Sequence, residues 1–388
     1  MRAMIAVLAV FASLAAQTPT NAAHRSPWSS AGVPTPALAT QGSQLLSVSC
    51  PTAGECLAVG YFSPSSRDAH PEAARWNGKK WTLMPTPAIP GTDGGYLAGI
   101  SCVSARSCVA VGGTNTDAVL AEWWNGRRWK LGSPVQPPGV PNAESNYGAG
   151  FSSVSCLPSG RCVAVGEAQD TPSGLTTPLA EVMRDHRWSL QTVPTGPVRD
   201  HEQLQSVSCA SPRLCVAVGS GQPYRLRDTW NGRNWSALQF TNVGRVESTN
   251  PSGVSCFSTT ACMIIGYGQL ESVNYSAPRS FAQRWDGKRW ENRTFPNRSD
   301  FDGLAIACPA TRRCVAVGNT SSTLRSAAIW RGERWTQEPV PFSGGDLYSS
   351  LNGVSCWTAI RCMAVGFFYP PNSMTSVNLA ALYRPSDR

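Results

Sequence analysis

The sequence predicts an all-β fold, a seven-bladed β-propeller built from four-stranded antiparallel blades. Three observations predict it. A cysteine-centred unit recurs seven times, each unit reads as four short strands, and the two ends of the chain complement one another. Composition agrees. Of 388 residues, 35 are Gly and 30 are Pro, and only 15% are charged, which disfavours coiled coils and helical bundles and favours short strands joined by turns. With 41% apolar residues the chain can build a full core and is not a disordered polymer.

The repeat is carried first by cysteines. They fall as Cys50/Cys56, Cys102/Cys108, Cys156/Cys162, Cys209/Cys215, Cys256/Cys262, Cys308/Cys314 and Cys356/Cys362. Before each pair stands SVSC or a close variant, and after it LAVG, VAVG, MIIG or MAVG. These are short strands rich in β-branched and small residues, separated by a turn rich in Ser, Pro, Thr and Gly. A second signature follows in five units: WNGKKW at 76–81, WNGRRW at 124–129, WNGRNW at 230–235, WDGKRW at 285–290 and WRGERW at 330–335. Gly after Asn or Asp supplies the positive φ of a tight hairpin turn, and the flanking Trp rings are suited to packing between neighbouring sheets. The third unit departs from this pattern. It reads MRDHRW at 183–188, with Met183 where the first Trp belongs.

Each unit thus supplies an inner strand, a second, a third ending at the first Trp, and an outer strand starting at the second Trp. The expected blades are about 44–88, 96–136, 150–195, 203–241, 252–296, 302–341, and 350–388 completed by 26–38. The last unit stops without an outer strand, while Trp28 and the segment after it mirror Trp81 and its sequel. The ring is therefore expected to close on itself, which removes exposed sheet edges.

Paired cysteines can bind metal or form disulfides. The four His are scattered, and zinc sites want closer Cys spacing. Seven local disulfides are the expectation, one per blade, with no metal and no cofactor. Residues 1–22 read as an export signal: Arg2, an apolar run from Met4 to Ala16, then small residues, with cleavage after Ala16 or Ala22. That places the mature protein outside the cell. No apolar stretch is long enough to predict a membrane span.

On these repeats the chain resembles secreted bacterial seven-bladed propellers of the kelch/sialidase-like kind. The resemblance implies the architecture alone, because such propellers include sugar oxidases, sialidases, lyases and pure binding proteins. Of the sialidase Asp-box only the Gly-x-x-Trp tail is shared. No arginine triad can be placed, and no Cys/Tyr pair marks a copper oxidase.

The first-to-second and third-to-outer turns are uniform in length and share one face. The remaining loops vary widely and share the other face, where a binding site is expected. Candidates there are Tyr61, Asp93, Tyr96, Tyr147, Glu167, Asp170, His201, Tyr224, Arg225, Tyr267, Asp300, Asp302, Asp346, Tyr348 and Phe368. Asp300 and Asp302 in SDFDG could hold Ca2+ or act as a carboxylate pair, or be ordinary turn residues. The short-turn face carries a basic ring, including Lys79, Lys80, Arg127, Arg128, Arg187, Arg233, Lys288, Arg289, Arg334, Arg106, Arg161, Arg213, Arg312, Arg313 and Arg361. Such a patch can concentrate anionic polymers. The expected function is a secreted, non-catalytic, monomeric binding or scaffold propeller. Its partner is a glycan, an anionic wall polymer or a protein, and not nucleic acid, since the turns lack stacking aromatics. The alternative is a glycan-active hydrolase or lyase using loop carboxylates.

Overall fold

The seven units fold into seven four-stranded antiparallel sheets. The computed structural model describes residues 26–385 except 67, 93, 138–147, 170–174, 196–201, 222–225, 238–245, 271–278, 294, 296–300, 321–324 and 342–347. The expected export signal lies outside the described residues. No helix among them is long and apolar enough to cross a membrane.

Blade 1 runs outward through Gly42–Thr52, Glu55–Ser63, His70–Trp76 and Trp81–Met84. The inner strands of blades 2 to 6 are Gly95–Ser104, Ala149–Cys156, Gln203–Ser211, Val246–Ser258 and Phe301–Ala310. Blade 7 comprises Ser349–Thr358, Arg361–Phe368 and Val377–Tyr383, and its outer strand is Trp28–Ser30 from the other end of the chain. Trp28 pairs with Tyr383, Ser29 with Leu382 and Ser30 with Ala381. The ring closes as the two ends predict.

Seven disulfides form, each within its own blade and across the first hairpin. They join Cys50 to Cys56, Cys102 to Cys108, Cys156 to Cys162, Cys209 to Cys215, Cys256 to Cys262, Cys308 to Cys314 and Cys356 to Cys362, with Cα–Cα separations of 3.9–4.1 Å. This is the pairing that the spacing predicts. The second cysteine of each pair, Cys56, Cys108, Cys162, Cys215, Cys262, Cys314 or Cys362, is buried among the apolar residues between blades.

The serines before the disulfides have a role that strand propensity does not reveal. The residue preceding the first Cys faces the next blade, and its hydroxyl accepts the N–H of that blade's first Cys. Ser49 accepts from Cys102, Ser101 from Cys156, Ser155 from Cys209, Ser208 from Cys256, Ser255 from Cys308 and Ser355 from Cys50, at 2.9–3.0 Å. The seventh position is Ala307, which has no hydroxyl to offer.

The Gly ending each CVAVG-type strand is a steric requirement. Every inner strand bulges, with register slips such as Phe151/Ser153 and Leu204/Ser206. The bulge presses a carbonyl against the facing Gly. A Cβ on Gly166 would lie 1.9 Å from the Gly150 oxygen, and at the equivalent Gly of the other blades the gap is 1.7–2.3 Å.

In the Trp-Asn-Gly-x-x-Trp turns only the Gly has positive φ, 88° at Gly78. The Asn acts through its side chain: Asn77 Oδ1 accepts the N–H groups of Lys79 and Lys80. Asn125, Asn231 and Asp286 do the same. Blade 3 solves the turn differently. Arg184 pairs with Arg187, and Asp185 and His186 take φ of 50° and 61° in a two-residue turn.

The paired aromatics pack between blades. Trp76 and Trp81 lie 5.9 Å apart and close on Met363 and Val365 of blade 7. Trp230 and Trp235 close on Val163 and Val165 of blade 3. Trp28 and Tyr383 perform the same task at the closing blade. Buried acids enter these interfaces too. Glu122, Glu181 and Asp228 stand two residues before Trp124, Met183 and Trp230, and Glu72 four before Trp76. Glu72 is hydrogen-bonded to Ser43 and Asn378, and Glu181 accepts the Val135 N–H at 3.1 Å. Neither carboxylate oxygen of Glu122 or Asp228 has a hydrogen-bond partner among the described residues. Burial pushes Glu122 up to about 8, and Glu72, Glu181 and Asp228 up to about 7.

Candidate ligand site

At the variable-loop end of each blade, the inner and second strands hold one residue pair at an equivalent register position around the central channel; Gly113 and the blade 7 pair are buried there, and the others are part-exposed. The seven pairs in ring order are Gln44/Tyr61, Tyr96/Gly113, Gly150/Glu167, Gln203/Ser220, Asn250/Tyr267, Asp302/Asn319 and Ser350/Phe367. They are equivalent positions, placed alike by the bulge and Gly described above. The mouth is therefore a ring of aromatic, amide and hydroxyl groups with two carboxylates, Glu167 and Asp302, in blades 3 and 6.

Neighbouring blades join these groups together. Tyr348, at the entry to blade 7, accepts a hydrogen bond from Asn319 Nδ2 at 3.4 Å. Its ring lies 5.8 Å from Phe367 and 6.2 Å from Tyr369. Tyr369 in turn faces Tyr61 across the closing interface, and burial followed by that neighbour raises the Tyr61 phenol. Gln203 and Gln205 both donate to Ser220 Oγ, at 3.1 and 3.5 Å. Tyr96 stands between blades 2 and 3. Its phenol is raised by burial first, then by Glu167 and Asp117. Asp117 is itself raised by burial.

Of the residues expected from sequence, Tyr61, Tyr96, Glu167, Tyr267 and Asp302 thus occupy the ring itself, and Tyr348 abuts it. Asp302 sits within a strand opposite Asn319, not in a turn. Phe368 points elsewhere: it packs on the interface of blades 6 and 7 and lines a separate cavity of about 360 Å³ with Val33 and Leu379. Asp93, Tyr147, Asp170, His201, Tyr224, Arg225, Asp300 and Asp346 lie outside the described residues. The cysteines take no part in the ring. Tyr61, Glu167, Tyr267, Asn319 and Phe367 all fall five residues after the second Cys of their units, and Ser220 does likewise. Cys56, Cys162, Cys215, Cys262, Cys314 and Cys362 are therefore at the opposite end of the same strands, bonded and buried. Sequence reasoning missed Gln44, Asn250, Asn319, Phe367 and Tyr369. The signal was present in part, as that constant offset from the second Cys.

No protein-family model and no curated protein sequence matches the chain. Solved structures do. YCF48 bound to D1 peptide has a TM-score of 0.56 at 14% identity, over 93% of this chain and 96% of that one. A protein of unknown function from Dyadobacter fermentans gives 0.54 at 12% identity, over 91% and 97%. The GH74 enzyme of Niastella koreensis gives 0.56 at 12% identity, over 91% of this chain and 55% of that one. At such identities the likeness is one of fold, and it agrees with a seven-bladed propeller.

Proposed function

We propose that the protein is a secreted, non-catalytic binding propeller that holds a neutral glycan at the channel mouth of its variable-loop face. The observation that carries this reading is the mouth ring. Tyr61, Tyr96, Tyr267, Tyr348 and Tyr369 offer flat apolar rings with hydroxyl edges, and Gln44, Gln203, Asn250 and Asn319 offer amides that both donate and accept. Sugars present the same alternation of apolar faces and hydroxyl edges, and rings on a rigid scaffold bind them with little loss of side-chain entropy. Seven disulfides suit an oxidising, extracellular setting.

A glycan-array screen of the oxidised protein, followed by calorimetry, tests the reading. Binding is expected to fall about tenfold or more in Tyr61→Ala and Tyr267→Ala, the scale of losing a buried aromatic contact. Capture of extended peptides alone, with no glycan bound, overturns the ligand class. Glycan binding untouched by both substitutions overturns the site.

One observation favours a second reading. The Tyr96 hydroxyl lies against Gly150, the register partner of Glu167, and after burial Glu167 and Asp117 both raise the phenol. Paired carboxylates are the machinery of glycoside cleavage. If the protein is a hydrolase, a bound glycan is cleaved, and Glu167→Gln or Asp117→Asn abolishes cleavage while binding persists. An intact glycan after prolonged incubation leaves binding as the function.

A further inference from the structure

The uniform-turn face carries an open inter-blade pocket, at the blade whose first aromatic is replaced by Met. In six interfaces a pair of aromatic residues from one blade fills the corner against the preceding blade. Between blades 2 and 3 the first member is Met183, and the corner stays open as a cavity of about 290 Å³. That is close to the lower end, ~300 Å³, of ordinary ligand clefts. A smaller cavity of about 90 Å³ adjoins it and shares Trp123, Met183 and His186.

The lining is not that of a mere packing fault. Blade 2 places an additional tryptophan, Trp123, immediately before its repeat tryptophan Trp124, where the other blades carry Arg75, Val182, Thr229, Arg284, Ile329 and Leu382. Trp123 faces blade 3 and is only half-buried. The His186 ring tilts against it at 5.0 Å, and the Lys130 ammonium lies 4.7 Å from its centroid. Asp185 and His186 reach this corner only because the two-residue turn holds both at positive φ. One wall is thus aromatic and aliphatic. The other carries a carboxylate, an imidazole and the hydroxyl of Ser159.

Charge narrows the ligand. Lys130 stands over the Trp123 wall and Arg106, next to the lining residue Ser107, is exposed beside it, while Asp185 is the only acid in the lining. We propose that this inter-blade pocket binds one sugar ring of an acidic glycan. The ring enters against Trp123 and Met183 and hydrogen-bonds to Asp185 and His186. Carboxylates of adjoining sugars meet Lys130 and Arg106. The site is separate from the channel mouth and does not depend on it.

Short oligogalacturonates are the probe, titrated into the full oxidised protein with tryptophan fluorescence and saturation-transfer NMR as readouts. The carboxyl-reduced oligosaccharide and inorganic polyphosphate are the comparison ligands. Met183→Trp restores the ring present in other blades and fills the pocket, and Trp123→Ala removes its wall. Each is expected to weaken oligogalacturonate binding about tenfold or more. Tyr267→Ala at the mouth leaves it unchanged. If Met183→Trp fails to fold, Trp123→Ala and His186→Ala decide. The proposal is overturned if oligogalacturonate does not bind, or if pocket variants bind it as well as the parent. It is also overturned if the reduced oligosaccharide binds equally tightly, or if polyphosphate shows the same dependence on pocket variants.

Discussion

Replacing Glu122 with Gln is expected to make the propeller more stable at neutral and alkaline pH and to leave it unchanged in acid. Glu122 is fully buried between blades 1 and 2, without a hydrogen-bond partner for either oxygen among the described residues. Burial raises its pKa from 4.5 to about 8. Below pH 4.5 folded and unfolded chains both hold the proton, so the group costs nothing extra. Between 4.5 and about 8 the unfolded chain releases it and the folded chain keeps it. Stability therefore falls as pH rises through that window and levels off above it. At about 1.4 kcal/mol per unit, the loss is roughly 3 kcal/mol at pH 7 and roughly 4 kcal/mol at pH 8. Gln has nearly the same shape and no proton to lose, so Glu122→Gln should recover most of that amount. Urea unfolding of the disulfide-intact protein at pH 4, 6 and 8 measures it. Glu72, Glu181 and Asp228 slope the same way in both proteins, so the difference between the two isolates Glu122. Identical pH profiles for parent and variant would refute the reasoning.

Other outcomes follow from the same geometry. Ala307→Ser should complete the ring of inter-blade hydroxyls by giving the Cys356 N–H an acceptor, adding about 1 kcal/mol in urea unfolding; no gain would mean that amide is already satisfied. Gly166→Ala should cost about 3–5 kcal/mol or prevent folding, because its methyl would overlap the Gly150 carbonyl; a stable variant would show that the bulge can relax. Alkylation of the native, unreduced protein followed by mass spectrometry should find no modified cysteine, since all 14 are bonded; labelled Cys215, Cys262, Cys314 or Cys362 would refute the pairing in that blade. Reduction should lower the unfolding midpoint, as each short loop contributes ~2 kcal/mol through the unfolded chain. An unchanged midpoint would place the stability in the Trp-lined interfaces alone.

Much of this molecule is local, and what is local can be read along the chain. Each disulfide spans six positions across one hairpin, so Cys50 and Cys56 announce their bond by spacing alone. Hairpins such as 76–81 state their turn in Asn77 and Gly78. Closure was readable because Trp28 and its sequel repeat Trp81 and its sequel while the last unit lacks an outer strand; that Tyr383 is the partner of Trp28 came from the structure. The site was readable only in part. Tyr61 and Tyr267 stand out as aromatics beside loops, whereas Gln44, Asn250 and Asn319 look like any polar strand residue until the ring brings them to one mouth.

The repeating unit, its pairing into hairpins, the cysteine partners and the number of blades follow from the amino-acid sequence by itself, because each depends on contacts between near neighbours. What lies between blades had to await the tertiary structure. The serine-to-amide ring joins residues some 50 positions apart, or 305 at the closure, and the opening beside Met183 lies between residues of two blades. A Met in place of a Trp reads as a worn repeat; only when blade 2 sets Trp123 against it does the missing ring become a space with walls.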